Sequence, residues 1–415
     1  MSNAARPPDP TRQRHFAEEV VRRLRGAGYQ ALWAGGCVRD MLLGTQPVDF
    51  DVATDAVPEQ IREVFGRRRT IAVGAAFGVI TVLGPRDAGQ IEVATFRRDL
   101  GYSDGRHPDA VAFSSPEEDA RRRDFTINGM FFDPIKQEVI DFVDGRADLE
   151  RGLIRAIGVP RERFTEDRLR LLRAVRFAAR LGFALETETQ SAIAEMAGQI
   201  GGVSPERVGQ EMRKLLTAEH RVAGVRLLIE TRLAEPVFPE LLCSGLSAKH
   251  AERRLAEGLT LLERVERPRF ILALAALLLP LAATGEAVAD LADRWRLSAK
   301  EAAGVQWLLA SVATIEESQS RRFSELQPLL IHAEAEQLIR LAEAHRPGSD
   351  DVAYALAQSA RPREELDPPP LLTGRDLIDR GIPPGPRMGE LLTEVRRAQL
   401  DGEIADREEA WARIE

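Results

Sequence analysis

The chain has 415 residues, 44% hydrophobic, 29% charged and only 6% aromatic, with a formal net charge of −8. That length exceeds one ordinary domain and predicts two to four. The acidic balance excludes nonspecific nucleic-acid binding by the whole surface, while a local basic patch stays open.

Cys37 and Cys243 lie far apart with no CxxC, so neither a disulfide framework nor a zinc site is expected. The start, MSNAARPPDPTRQRHF, has no apolar core and does not read as a signal peptide. The longest apolar run, FILALAALLLPLAA (270–283), contains Pro280 and is too short to span a bilayer. A cytoplasmic protein with no membrane contact is expected, and nothing points to a protein partner.

In chain order, Phe16, Val20, Val21 and Leu24 have helical spacing, closed by Gly26 and Gly28. YQALWAGG then reads as a buried strand running into glycines, VRDMLLG as a helix ending at Gly44, and VDFDVAT as an alternating strand. AAFGVITVLG and QIEVATFR are two more β-rich runs around the turn cluster PRDAG. A helix and a mixed sheet of about five strands are therefore predicted over the first 142 residues. After EVIDFVDG the strand signals stop. DLERGLIRAIG through LRLLRAVRFAARLGF reads as helical, and SPERVGQEMRKLL opens with Ser204 as N-cap and Pro205 at the first helical position. Helices continue to about residue 345, where a Pro-rich break precedes a tail.

Asp49 and Asp51 are two apart on the predicted strand, so both carboxylates face one side while Phe50 points inward. Neighbouring carboxylates repel unless a cation sits between them, and hard oxygen donors suit Mg²⁺. Two solvated aspartates on an edge strand is the plainer alternative. The context favours the metal. Gly35 and Gly36 follow a strand and precede a helix, where freed backbone N–H groups can approach a triphosphate, and Arg39 sits on the first turn. Glu92, set among apolar residues, is the candidate third catalytic carboxylate. It reads equally as an outward strand residue paired with an arginine.

Asp167 and Arg170 are three apart on one predicted helix and so are surface neighbours. A carboxylate accepts from an exocyclic amine and a guanidinium donates to a ring nitrogen. Cytosine and adenine offer that pattern; guanine and uracil carry a carbonyl and a ring N–H instead. The pair therefore suits reading C and A, with a simple surface ion pair as the alternative. Arg173 and Arg176 continue the three-residue rhythm. Residues 151 to 180 hold nine arginines against three acidic residues, a basic surface on an acidic protein.

The segments GGCVRDMLLG with VDFDVAT, RRRDFTINGM (121–130) and EDRLRLLRAVRFAARLGF (166–183) resemble successive motifs of the class II tRNA nucleotidyltransferase / poly(A) polymerase family. SPERVGQEMRKLL resembles the next motif, and GIPPGPRMGELLTEVRRAQLDGEI the tail of CCA-adding members. The resemblance implies an α+β nucleotidyltransferase head of the polymerase β type (11–145), then an all-α neck (146–205), body (206–345) and tRNA-binding tail (346–415). It further implies two Mg²⁺ ions at Asp49 and Asp51, with CTP and ATP as substrates and the tRNA 3′ end as partner. Nucleotide contacts would fall at Gly35, Gly36, Arg39, Arg123 and Asp124, and by motif position at Asp167, Arg170, Arg173 and Arg176. For Arg123 and Asp124 an ordinary helix-start pair is the alternative.

The segment LGYSDGRHPDAVAFSSPEEDA (100–120) resembles the full-length loop of CCA- and A-adding members, which argues against a CC-only enzyme. RRRTIAVGAAFGVITV (67–82) resembles the tRNA-specific branch. LLLPLA (277–282) stands where some members carry a His-Asp phosphohydrolase segment, so no such activity is expected. Complete CCA addition, A addition alone and poly(A) synthesis on general RNA ends remain the competing activities.

Overall fold

A computed structural model describes residues 9–100, 110–242, 247–281 and 285–414. Cys243 and residues 101–109 of the segment 100–120 lie outside the described residues. The chain divides into two compact units, Met1–Pro239 and Glu240–Glu415.

The first unit begins with helix α1 (Pro10–Gly26). Asp9 caps it by accepting from the backbone of Thr11 and Arg12, and Phe16, Ala17, Val20, Val21 and Leu24 form its buried stripe. The elements that follow are β1 (Ala31–Ala34), α2 (Gly36–Leu42), β2 (Asp51–Thr54), α3 (Pro58–Phe65), β3 (Thr70–Ile71), β4 (Val79–Leu83) and β5 (Gln90–Thr95). Next come β6 (Arg97–Leu100), β7 (Ala110–Phe113), α4 (Pro116–Arg121), β8 (Phe131–Asp133), β9 (Glu138–Ile140), α5 (Gly145–Arg151) and β10 (Leu153–Ile154). The unit ends with α6 (Pro160–Glu166), α7 (Leu169–Leu181), β11 (Ala184–Leu185), α8 (Thr187–Met196), α9 (Pro205–Leu216), α10 (Arg221–Glu230) and α11 (Ala234–Val237).

Seven strands form one mixed sheet in the order β3-β4-β5-β2-β1-β8-β9, with only β2 and β5 parallel. About five strands are expected from sequence. The extra ones include β3 and β8, which at two and three residues are too short for alternation to register. All four residues of β1 are buried, as its central place requires, whereas β5 alternates between buried and more open positions. Two expectations for the neck are corrected. LIRAIG is not helical: Leu153–Ile154 pairs in parallel with Ala184–Leu185. Asp167 is not on a helix with Arg170: it is an extended residue between α6 and α7, and Arg170 lies in the first turn of α7.

The second unit is helical: α12 (Ala248–Arg264), α13 (Phe270–Leu278), α14 (Gly285–Trp295), α15 (Ala299–Ile315), α16 (Phe323–Leu330), α17 (Ala335–His345), α18 (Asp350–Ser359), α19 (Arg363–Leu366), α20 (Gly374–Asp379), α21 (Pro386–Leu400) and α22 (Arg407–Ala412). The apolar run is α13, buried from Ile271 to Leu278. Among the described residues, no helix is long and apolar enough to cross a membrane. A separate cluster of Leu372, Leu377, Met388, Val395, Ala398, Ile404 and Ala410 holds the last helices together.

Candidate nucleotide-binding site

Strand register explains why distant motifs meet. Ala34, the last residue of β1, pairs with Asp51 on one side and Phe131 on the other. The glycine turn after Ala34 is thereby set beside Asp51 and close to the 121–130 segment. Gly35 has φ +72°, and a Cβ there would lie 2.9 Å from Arg123 Nη1, so both backbone and space call for glycine. Its N–H donates to the Met130 carbonyl at 3.2 Å. That amide is therefore committed to the backbone and is not among the N–H groups left for a phosphate.

The turn opens onto a cavity of about 650 Å³. Eleven of the twelve residues expected from sequence line it: Gly35, Gly36, Arg39, Asp49, Asp51, Arg123, Asp124, Asp167, Arg170, Arg173 and Arg176. Glu92 does not. It is the register partner of Asp51 across β2 and β5, and it sits beside the cavity wall rather than on it. Asp49 precedes β2 by two residues instead of lying within it.

Asp51 lines the cavity as a solvent-exposed residue, although the protein packed around it thins the hydration of its carboxylate. That loss of hydration, reinforced by Glu92 and Asp49, pushes it up to about 6 against the pull of Arg123. A carboxylate strained by acidic neighbours is what a divalent cation would relieve, and the donors are hard oxygens, so Asp49 and Asp51 fit Mg²⁺. Among the described residues, no three His, Cys, Asp or Glu side chains group as a metal site, so the fit rests on two carboxylates.

Arginines form much of the rest of the wall, and each is anchored from behind by an acidic residue. Asp119, almost fully buried, accepts from both Arg122 and Arg123, which hold it below the usual carboxylate range against the cost of burial. Asp40 accepts from Arg39 at 2.6 Å with one oxygen and from Arg180 at 3.0 Å with the other, linking α2 to α7. Glu166 takes Arg170 at 2.7 Å, Glu211 takes Arg176, and Asp167 takes Arg207 at 2.8 Å. Burial draws down the pKa of Arg39, which stacks 5.3 Å from the Phe177 ring centre.

Asp124 and Asp167 differ in what they have left to offer. Asp124 accepts from the Phe125 backbone (2.8 Å), Asn128 Nδ2 (3.1 Å), and both Nε (2.9 Å) and Nη2 of Arg173. Four donors fill its four lone-pair positions. The Arg173 guanidinium and the Asn128 amide hold its carboxyl far below the ordinary range although burial opposes them. Asp167 takes only Leu169 N–H (3.1 Å) and Arg207 among the described residues, so half its capacity remains. Arg170 uses three of its five N–H groups, on Glu166, the Arg163 carbonyl and the Arg122 carbonyl.

Sequence reasoning missed five wall residues: Arg122, Asn128, Phe177, Arg180 and Arg207. Arg122 adjoins a chosen arginine, and Arg180 lies one helical turn beyond Arg176. Arg207 sits inside the recognised 204–216 motif. Asn128 carries no composition signal: its role shows only in the bridge from Arg39 Nη1 (2.6 Å) to Asp124.

The CCA-adding enzyme of Limosilactobacillus reuteri strain DSM 20016 is 34% identical over 401 residues, 94% of this chain and 93% of that protein. The chain belongs to the CCA-adding enzyme family. The CCA-adding enzyme of Lactiplantibacillus plantarum is 44% identical over 218 residues, a match spanning 52% of each chain. A crystal structure of the Bacillus stearothermophilus CCA-adding enzyme in complex with CTP superposes with a TM-score of 0.78 at 30% identity, covering 97% of both chains. The Thermotoga maritima CCA-adding enzyme complexed with tRNA shares the fold, with a TM-score of 0.67 at 23% identity over 99% of this chain and 97% of that one. Family models agree segment by segment: a poly A polymerase head domain at 31–155, a probable RNA- and SrmB-binding site of polymerase A at 182–243, and a tRNA nucleotidyltransferase domain 2 at 270–413. The polymerase β-like head expected for this family is the seven-stranded mixed sheet of the first unit.

Proposed function

We propose that this member of the CCA-adding family transfers C and A from CTP and ATP to the tRNA 3′ end, releasing pyrophosphate. The observation that carries the reading is one cavity that gathers the acidic pair, the glycine turn and the arginines of α7.

Asp49 and Asp51 would hold Mg²⁺, two ions by the family's pattern. When bound, these ions would activate the RNA 3′-hydroxyl and stabilise the departing pyrophosphate. The remaining work falls to the chain's own groups. Asp167 has acceptor capacity left for the exocyclic amine of C or A, and Arg170 has N–H groups left for the ring nitrogen. A guanine or uracil there leaves buried polar groups unmatched, at about 1–3 kcal/mol each. Arg123, Arg173 and Arg176 offer charge-assisted donors to the triphosphate. Asp124, whose acceptors are filled, acts by orienting Arg173. We read residues 146–205 as the neck that selects the base, 206–345 as the body and 346–415 as the tRNA-binding tail. Glu92 is assigned to keeping Asp51 charge-strained from the neighbouring strand.

The test is incorporation of each single NTP, then CTP with ATP, onto tRNAs lacking CCA, ending in C and ending in CC. Completion of CCA on the shortest tRNA supports the reading. Extension only of the CC-ending tRNA would replace it with A addition alone. Asp167→Ala should admit G and U before transfer is lost; unchanged discrimination would remove the base-reading role.

A further inference from the structure

Phe177 sits on α7 with little exposure and lines the cavity, yet it has no polar atom to offer a nucleotide. Three guanidiniums surround its ring: Arg176 at 3.8 Å from the ring centre, Arg39 at 5.3 Å and Arg173 at 5.4 Å. All three line the same cavity. Phe125 meets the ring edge-to-face at 5.7 Å and 76°, which fixes the plane of the ring.

Like charges gathered this closely repel. Each is offset by one carboxylate, Asp40 for Arg39, Asp124 for Arg173 and Glu211 for Arg176. A carboxylate fixes one edge of a guanidinium but leaves it free to swing about that edge; among the described residues, Arg39 alone of the three is also held by Asn128 Oδ1, at 2.6 Å from its Nη1. An aromatic face removes this freedom, because the negative face of the ring attracts the cation and the flat surfaces stack. The in-plane N–H groups not used by the carboxylate then stay directed along the stacking plane.

We propose that Phe177 is a positioning residue for the nucleotide's phosphates: it pins three arginines from two helices by their faces so that their edges present one preset donor surface. The claim rests on reading the cavity as a nucleoside triphosphate site. The base readers Asp167 and Arg170 are not among the groups stacked on this ring, so Phe177 acts on phosphate binding and not on the choice of base.

Two sets of variants test this in the full-length protein: Phe177→Leu, and replacement of Phe177 by mono-, di- and trifluorophenylalanine, which keeps the ring's shape while draining its negative face. The probes are CTP, ATP and inorganic tripolyphosphate, with binding measured by calorimetry. Losing three stacking contacts should weaken binding of each probe roughly tenfold in the leucine variant. The fluorinated series should weaken it stepwise at constant melting temperature, with CTP and ATP affected equally and the preference over GTP and UTP unchanged. Flat affinity across the fluorinated series overturns the proposal even if the leucine variant is impaired, since packing alone would explain that loss. A changed base preference overturns it also. Failure of the unmodified protein to bind CTP or tripolyphosphate would instead remove the nucleotide-site reading, and this inference with it.

Discussion

Removing the carboxylate of Asp124 should unfasten the wall of the cavity at a point where four hydrogen bonds meet. In Asp124→Ala, the Arg173 guanidinium loses two hydrogen bonds, and Asn128 Nδ2 and the Phe125 N–H lose their acceptor. Breaking a buried ion pair from one side costs about 3–5 kcal/mol. Arg173 keeps 34% of its side chain exposed and can rehydrate, so the lower end applies, about 3 kcal/mol. For a unit of this size, each kcal/mol moves the melting temperature by about 2–4 °C, giving a fall of roughly 6–12 °C. Scanning calorimetry of wild type and variant at pH 7 measures it. The dependence on pH gives a second check. The folded-state pKa of Asp124 is depressed below its ordinary value of 3.8. Its stabilisation is therefore fully present above 3.8 and lost as pH falls below that value towards the folded-state pKa. The gap between wild type and variant should narrow at pH 3. A melting shift under about 2 °C at pH 7, or a gap that widens in acid, would refute the idea that a buried, fully paired carboxylate fastens this wall.

Three further outcomes follow from the geometry. Asp49→Ala and Asp51→Ala should each abolish nucleotide incorporation while filter-binding assays still detect tRNA binding; residual incorporation within tenfold of wild type would exclude them as the metal-holding pair. Gly35→Ala forces a side chain onto a backbone with φ +72° and into contact with Arg123. A loss of about 1–3 kcal/mol in urea unfolding, with a raised KM for CTP, is expected. Cys37 is buried, which pushes its thiol up to about 12. Peptide mapping after iodoacetamide treatment at pH 8 should find it unmodified in the folded protein and modified in urea.

The site is more legible in the sequence than the fold details. Asp49, Asp51, the glycine turn and the arginines of 170–176 stand out through their order along the chain and the family resemblance of their motifs, since each motif alone also has a plain surface reading. What the sequence hides is tertiary. The register that sets Ala34 against Asp51 depends on which strands pair, and no local pattern states that. Asp167 reads as helical because its neighbours have helical periodicity. In the fold it leaves the helix, and its carboxylate caps α7 through Leu169 N–H while taking Arg207 from α9. Asn128 and Phe177 look like filler until their partners, distant in sequence, are seen around them. Strands β3 and β10 fall below the length at which alternation can be recognised.

Arg170, Arg173, Arg176 and Arg180 all belong to α7, a single helix, and that has a consequence for how the protein can vary. Their spacing is that of a ruled rod, at about 1.5 Å per residue. Inserting or deleting one residue midway would swing every later tooth by about 100° and aim it away from its slot. A change of length cannot be absorbed along this stretch, so natural variants that lengthen the protein should do so outside α7.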